Sequence, residues 1–158
     1  MKRLFAVIIV FVCITTVSFA EPWRVFDNAG LFSTEDVEAI EQAIYTFQRE
    51  TNLDFAVLTT DDYLGYNNRT AIADSFYDSE NFGFGRLASG MLYYLDMNQK
   101  YPCVSTCGEM IGIFDTDTLD EAFDASHHFL VAGCFKDAVL HMIESATAAV
   151  AAYKKDAD

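Results

Sequence analysis

Basic residues are scarce in this 158-residue chain: ten Lys and Arg stand against 24 Asp and Glu, a formal net charge of −14. Such a surface repels nucleic acid and anionic lipid, so neither is expected as a partner, whereas cations are drawn to it. The familiar catalytic signatures are also missing. There is no G-x-S-x-G nucleophile elbow, no H-E-x-x-H zinc motif and no glycine-rich phosphate loop with its lysine. Repeats, low-complexity stretches and linkers are absent as well, which leaves one domain of ordinary size.

One apolar run stands out, at the N-terminus. Met1-Lys2-Arg3 forms a short positive region, Leu4 to Val17 is apolar, and Ser18-Phe19-Ala20 places small residues before Glu21. At about 14 residues the run is short against the ~20 that cross a bilayer. Its small-x-small ending is what a signal peptidase needs. Residues 1–20 are therefore expected to be a cleavable signal peptide; retention as a membrane anchor is the alternative. Cys13 lies inside the run and not at its end, so lipidation is not expected. The expected product, residues 21–158, is exported to the periplasm or secreted. Losing Lys2 and Arg3 leaves eight basic against 24 acidic groups, a net charge of −16. No second long apolar segment follows, so stable membrane insertion is not expected after cleavage.

Cysteines number three in that product: Cys103, Cys107 and Cys134. Export permits a disulfide, but an odd count leaves one thiol over. Cys103 and Cys107 fall in an expected strand, about 13 Å apart at ~3.3 Å per residue, too far to bridge without a bend. A bond from one of them to Cys134 is the remaining internal option; otherwise they are small buried residues.

Asp27 to Phe32 reads as a turn. Ser33 follows as the N-cap of a helix with Asp36 at the capping-box position. Val37, Ile40, Ile44 and Phe47 recur at helical spacing to about Glu50. Phe55–Thr60 suits a buried strand, and Asp61 to Tyr66 the loop after it. Asn67 or Asn68 then caps a helix through about Tyr77, with Ala71, Ile72, Ser75 and Phe76 expected inward. Asn68-Arg69-Thr70 also matches a glycosylation sequon. Phe82-Gly-Phe-Gly85 is an aromatic glycine loop, a candidate lid. Gly90–Leu95 and Tyr101–Thr106 make a hairpin, Pro102 placing the second strand at the sheet edge. Two helices follow, from about Thr118 to Phe129 and from about Lys136 to Tyr153, separated by Gly133. The expected architecture is α/β: a Rossmann-like, three-layer α/β/α sandwich whose small mixed sheet combines a parallel strand-helix-strand unit with an antiparallel hairpin.

This topology gathers acids. Asp27 precedes the first helix, Asp61 and Asp62 follow the first strand, and Asp96 ends a parallel neighbour, so all four are expected at the carboxyl edge, where ligands of open α/β sheets bind. Clustered carboxylates raise one another's pKa or recruit a cation, and oxygen-rich sets suit Ca²⁺ or Mg²⁺. Each also has a plainer reading, as a turn residue or cap. The Asp115-Thr-Asp117-Thr-Leu-Asp120 run resembles the start of a calcium loop, but Asp120 stands where an EF-hand needs Gly, and an acid-rich helix start fits better. His127, His128 and His141 make at most a weak zinc candidate.

The run from Val25 to Ser33, the helix after it and Phe55 to Thr60 together resemble the opening of the TPM domain family, found in thylakoid-lumen, photosystem-repair and nematode receptor-associated proteins. The likeness continues through Ala73–Tyr77, Phe82–Gly85, Gly90–Asp96, Val104–Gly108 and Gly133–Ala138. It implies the same Rossmann-like sandwich, exported or facing a lumen. It also implies an acidic pocket for divalent metal, particularly calcium, or acid phosphatase activity. By position it marks Asp27, Asp61 or Asp62, and Asp96. Two departures weigh against phosphate handling: Cys107 interrupts the family's Thr-Gly pair, and Lys100 replaces an arginine in the hairpin.

Two functions follow. One is a calcium-responsive binding or assembly module that docks on an envelope partner, with Tyr63, Tyr66, Phe82 and Phe84 supplying contact area beside the acids. The other is a metal-dependent phosphomonoesterase with Asp61 and Asp62 as catalytic groups and Lys100, Arg86, Arg69 or Arg24 holding phosphate.

Overall fold

The computed structural model describes residues 23–62 and 68–157. The signal segment, Cys13, Tyr63, Tyr66 and the Asn67 cap lie outside the described residues. Four strands form one sheet in the order β1-β2-β3-β4: β1 (Val25–Asp27), β2 (Asp54–Thr60), β3 (Gly90–Asp96) and β4 (Tyr101–Cys107). β1, β2 and β3 run parallel, and β4 returns antiparallel to β3. α1 (Thr34–Thr51) joins β1 to β2, and α2 (Arg69–Ser79) lies between β2 and β3. The short α3 (Met110–Ile113), α4 (Thr116–Val131) and α5 (Phe135–Ala157) follow the sheet.

Every residue of β2 and β3 is buried, so these strands carry apolar side chains on both faces and need cover on both. Phe55, Val57, Met91, Tyr93 and Leu95 face one side, where Ile40, Ile44 and Phe47 of α1 and Met142, Ala146 and Val150 of α5 meet them. Each of the larger apolar groups contributes about 1.5–3 kcal/mol. Ala56, Leu58, Leu92 and Tyr94 face the other side, under Ala73 and Tyr77 of α2 and Phe82. The sandwich is therefore unequal: α1, α4 and α5 cover one face, α2 the other.

Local signals set the helix ends. Ser33 accepts from the Asp36 amide while the Asp36 carboxylate accepts from the Ser33 amide, completing the capping box. Asn68 caps α2 by accepting from the Ala71 amide at 3.2 Å, the role preferred for it over the sequon. Asp115 caps α4 by accepting from Thr118, and those bonds hold its carboxyl below the usual range, in line with an acid-rich helix start.

Three expectations change. Val25–Asp27 is a strand that was not expected, and its last residue, Asp27, was expected in the turn; three residues are too few to show alternation, and the partner that defines them is β2, far along the chain. In α2 the inward residues are Ala73 and Tyr77, with Ile72 and Phe76 partly buried, whereas Ala71 and Ser75 are exposed. The three cysteines are free. Cys103 and Cys107 pack partly buried on the α2 side of the sheet while Cys134 is exposed at the α4–α5 junction, so the sheet separates the partners of the one internal bond left open, and Cys134 is not buried as the other reading had it.

Candidate functional site

Register decides which acids meet. Asp27 stands opposite Thr59, and Thr60 stands opposite Asp96, so β1, β2 and β3 end together and Asp61 and Asp62 leave from the same edge. All four acids thus occupy the carboxyl rim of the parallel strands.

Their side chains differ in commitment. Asp27 accepts from the Leu31 amide (2.9 Å), the Phe32 amide (2.9 Å) and the Thr59 hydroxyl (2.5 Å), closing the turn into α1. Asp96 is 4 % exposed and accepts from the Gln99 amide at 3.0 Å, closing the hairpin turn. Both therefore fill the turn roles open to them. Asp61 and Asp62 are exposed, and the Asp61 carbonyl accepts from the Asn98 side chain. Beneath them Thr60 bonds the Tyr94 hydroxyl at 2.9 Å, and burial pushes the Tyr94 pKa up.

The donors are hard oxygens of the kind calcium prefers. Among the described residues, however, no three His, Cys, Asp or Glu side chains stand close enough together to hold a metal ion. The histidines form no zinc cluster either: His128 stacks on Phe129, and His141 faces Glu144 at 3.6 Å. The rim's cations are mostly engaged. Lys136 pairs with Asp36 at 3.1 Å, an exposed contact that lowers the Asp36 pKa and raises its own. Arg69 donates to Gln99 and lies 4.2 Å over the Tyr101 ring.

The opposite edge holds a network that the sequence reading missed. Asp54, fully buried at the start of β2, accepts from the Arg24 guanidinium (2.8 Å), the Gln48 amide group (2.7 Å) and the Phe55 amide (2.9 Å). Its second oxygen accepts from the Gly83 amide at 2.7 Å. Arg24 also lies 5.1 Å over the Phe82 ring. Tyr77 donates to the Ala88 carbonyl at 3.0 Å, and burial drives its pKa far above the usual tyrosine range, with the Asp54 charge adding to that rise. A lone acid at the head of an apolar strand was the available signal.

This network overturns the lid and contact-surface reading of Phe82-Gly-Phe-Gly85. Phe82 is buried under α2, Gly83 is tied to Asp54, and the Phe84–Ser89 bridge closes the loop, all at the edge away from the acids. Gly83 has φ +95, and a Cβ there would collide with the Ala88 carbonyl, so the turn needs glycine. Arg24 belongs to the same end through Asp54, and Arg86 sits in the same loop, so neither stands at the carboxyl rim.

Among the described residues, no helix is long and apolar enough to cross a membrane. Solved structures share the fold. The BA42 protein of the psychrophilic bacterium Bizionia argentinensis superposes with a TM-score of 0.68 at 20% identity, over 77% of this chain and 83% of that one. The N-terminal domain of the cg2496 protein of Corynebacterium glutamicum gives 0.64 at 16% identity, over 88% and 86%. The N-terminal domain of a P. gingivalis protein gives 0.60 at 18%, over 81% and 79%. No curated protein sequence matches the chain. The model of the TPM domain matches residues 25–149, nearly the whole of the sheet and its helices, and the chain belongs to that family.

Proposed function

We propose that this protein is an exported TPM domain that works as a divalent-cation-responsive binding or assembly module of the cell envelope, with calcium as the cation. The observation that carries this reading is the shared ending of β1, β2 and β3, which sets Asp27 and Asp96 on either side of the exposed Asp61 and Asp62. Since Asp27 and Asp96 already serve their turns, Asp61 and Asp62 are the acids free to approach a cation. Binding then requires the rim to close on the ion, a response suited to a signal or docking event. Extracellular calcium modules work at affinities on the order of 10⁻⁴–10⁻³ M, within reach of an exported protein. The N-terminal pattern of residues 1–20 supports export.

The alternative, a metal-dependent acid phosphatase, is less well supported. A phosphate needs several cations at the rim, where Arg69 and Lys136 are engaged and Lys100 alone makes no ion pair among the described residues, while Arg24 and Arg86 lie at the other edge. The test is thermal melting of the purified protein with EDTA, Ca²⁺ or Mg²⁺, beside a phosphomonoester assay. Calcium should raise the melting temperature in a saturable way, and Asp61→Asn with Asp62→Asn should remove that rise. No calcium effect at millimolar concentration overturns the proposal. Metal-dependent phosphate release lost in the double variant would establish the alternative.

A further inference from the structure

A cavity of about 430 Å³ opens beside the acidic rim, between the β3–β4 hairpin and the α4–α5 junction. It arises from where elements stop. α4 ends at Val131, α5 begins at Phe135, and the two strands turn over at Asp96 to Tyr101, so neither layer covers the other's end. Leu95 and Pro102, register partners on adjacent strands, form one apolar wall. Leu130 and Phe135 form the other. The volume falls within the ~300–1,000 Å³ typical of small-molecule sites, which combine an apolar lining with few polar groups.

One charged side chain, Lys100, stands in the wall beside His127, and no carboxylate does, although acids outnumber bases more than twofold in the chain. The nearest acid of the turn, Asp96, is held by the Gln99 amide. Among the described residues Lys100 makes no ion pair, unlike Arg24 and Lys136. Such a wall takes an apolar body with one negative head: the body displaces water from the Leu and Phe surfaces, and the head meets the lysine ammonium.

We propose that this cavity binds a small amphipathic carboxylate, an aliphatic chain of medium length ending in one anionic group. The site differs from the carboxylate rim in position and in charge, and its occupant is an anion where the rim's is a cation.

The probes are decanoate, decanol, decyltrimethylammonium and acetate, titrated into the purified protein and followed by amide chemical shifts. Decanoate should shift the amides of Met97 to Tyr101 and of Leu130 to Phe135 saturably, about tenfold more tightly than decanol, with no response to the cation or to acetate. Lys100→Glu, at an exposed turn position, should erase the preference for decanoate over decanol while decanol still binds. Leu130→Trp should fill the space and weaken both, with melting curves checking that the variant folds. The proposal fails if decanoate gives no saturable shift by about 1 mM, if decyltrimethylammonium binds as well, or if Lys100→Glu leaves the preference intact. Should Leu130→Trp not fold, the Lys100→Glu comparison alone decides.

Discussion

The two edges of the parallel strands carry the same kind of residue to opposite ends. At the amino edge one aspartate, Asp54, is fully buried and accepts from Arg24, Gln48, Phe55 and Gly83. At the carboxyl edge Asp61 and Asp62 stand exposed. A buried carboxylate with its partners supplied locks a loop in place. An exposed one costs little to keep and stays available to a ligand. The contrast teaches that acid content alone does not mark a site: the number of protein donors already committed to each carboxylate does.

Breaking the locked edge should have the largest effect. Asp54→Asn removes the buried charge that the Arg24 guanidinium, only 11 % exposed, meets at 2.8 Å, and should lose about 3–5 kcal/mol in urea unfolding. A loss below 1 kcal/mol would show the network to be dispensable. Gly90→Ala comes next at about 2–3 kcal/mol, since a Cβ there would sit 2.5 Å from the Asp54 carbonyl and 2.6 Å from the Tyr77 hydroxyl. Alkaline titration probes the same edge through Tyr77 and the core under α1 and α5 through Tyr93. Tyr77 and Tyr93, both raised mainly by burial, keep their protons in the fold beyond the point where an unfolded tyrosine loses its own. Their contribution is complete below the unfolded value of about 10 and is lost as pH rises above it, so unfolding midpoints should fall from about pH 10 upward. A flat profile to pH 12 would contradict this.

The rim should respond less. Asp27→Ala removes the acceptor for two amides and a hydroxyl, and about 1–2 kcal/mol is expected from the unsatisfied donors, partly offset by water reaching them. Asp61→Asn with Asp62→Asn should change calcium-free stability by less than about 0.5 kcal/mol, as exposed substitutions do. A larger loss would mean that these acids hold the fold as Asp54 does, and the contrast between the edges would collapse.

How much of this was legible in the sequence depended on the range of each interaction. The capping box at Ser33 and Asp36, the acid-rich start of α4 and the helical spacing of α1 and α5 are written within a few residues and were read correctly, as was Asn68 as one of two candidate caps of α2. So was the gathering of Asp27, Asp61, Asp62 and Asp96 at one edge, because parallel topology follows from the order of elements. The strand role of Val25–Asp27, the bond from Gly83 to Asp54 and the basic-apolar cavity were not legible. Each needs residues brought together from distant parts of the chain.

The sequence by itself therefore determined the elements, their order, the α/β/α layering and the side of the sheet to which the acids go. Short-range caps and hydrophobic period carry that information. Only the tertiary structure decided which carboxylates are already satisfied and which remain open. That depends on the donors that reach each oxygen, and the ones that complete Asp54 and Asp27, from Arg24, Gly83 and Thr59, lie tens of residues away along the chain.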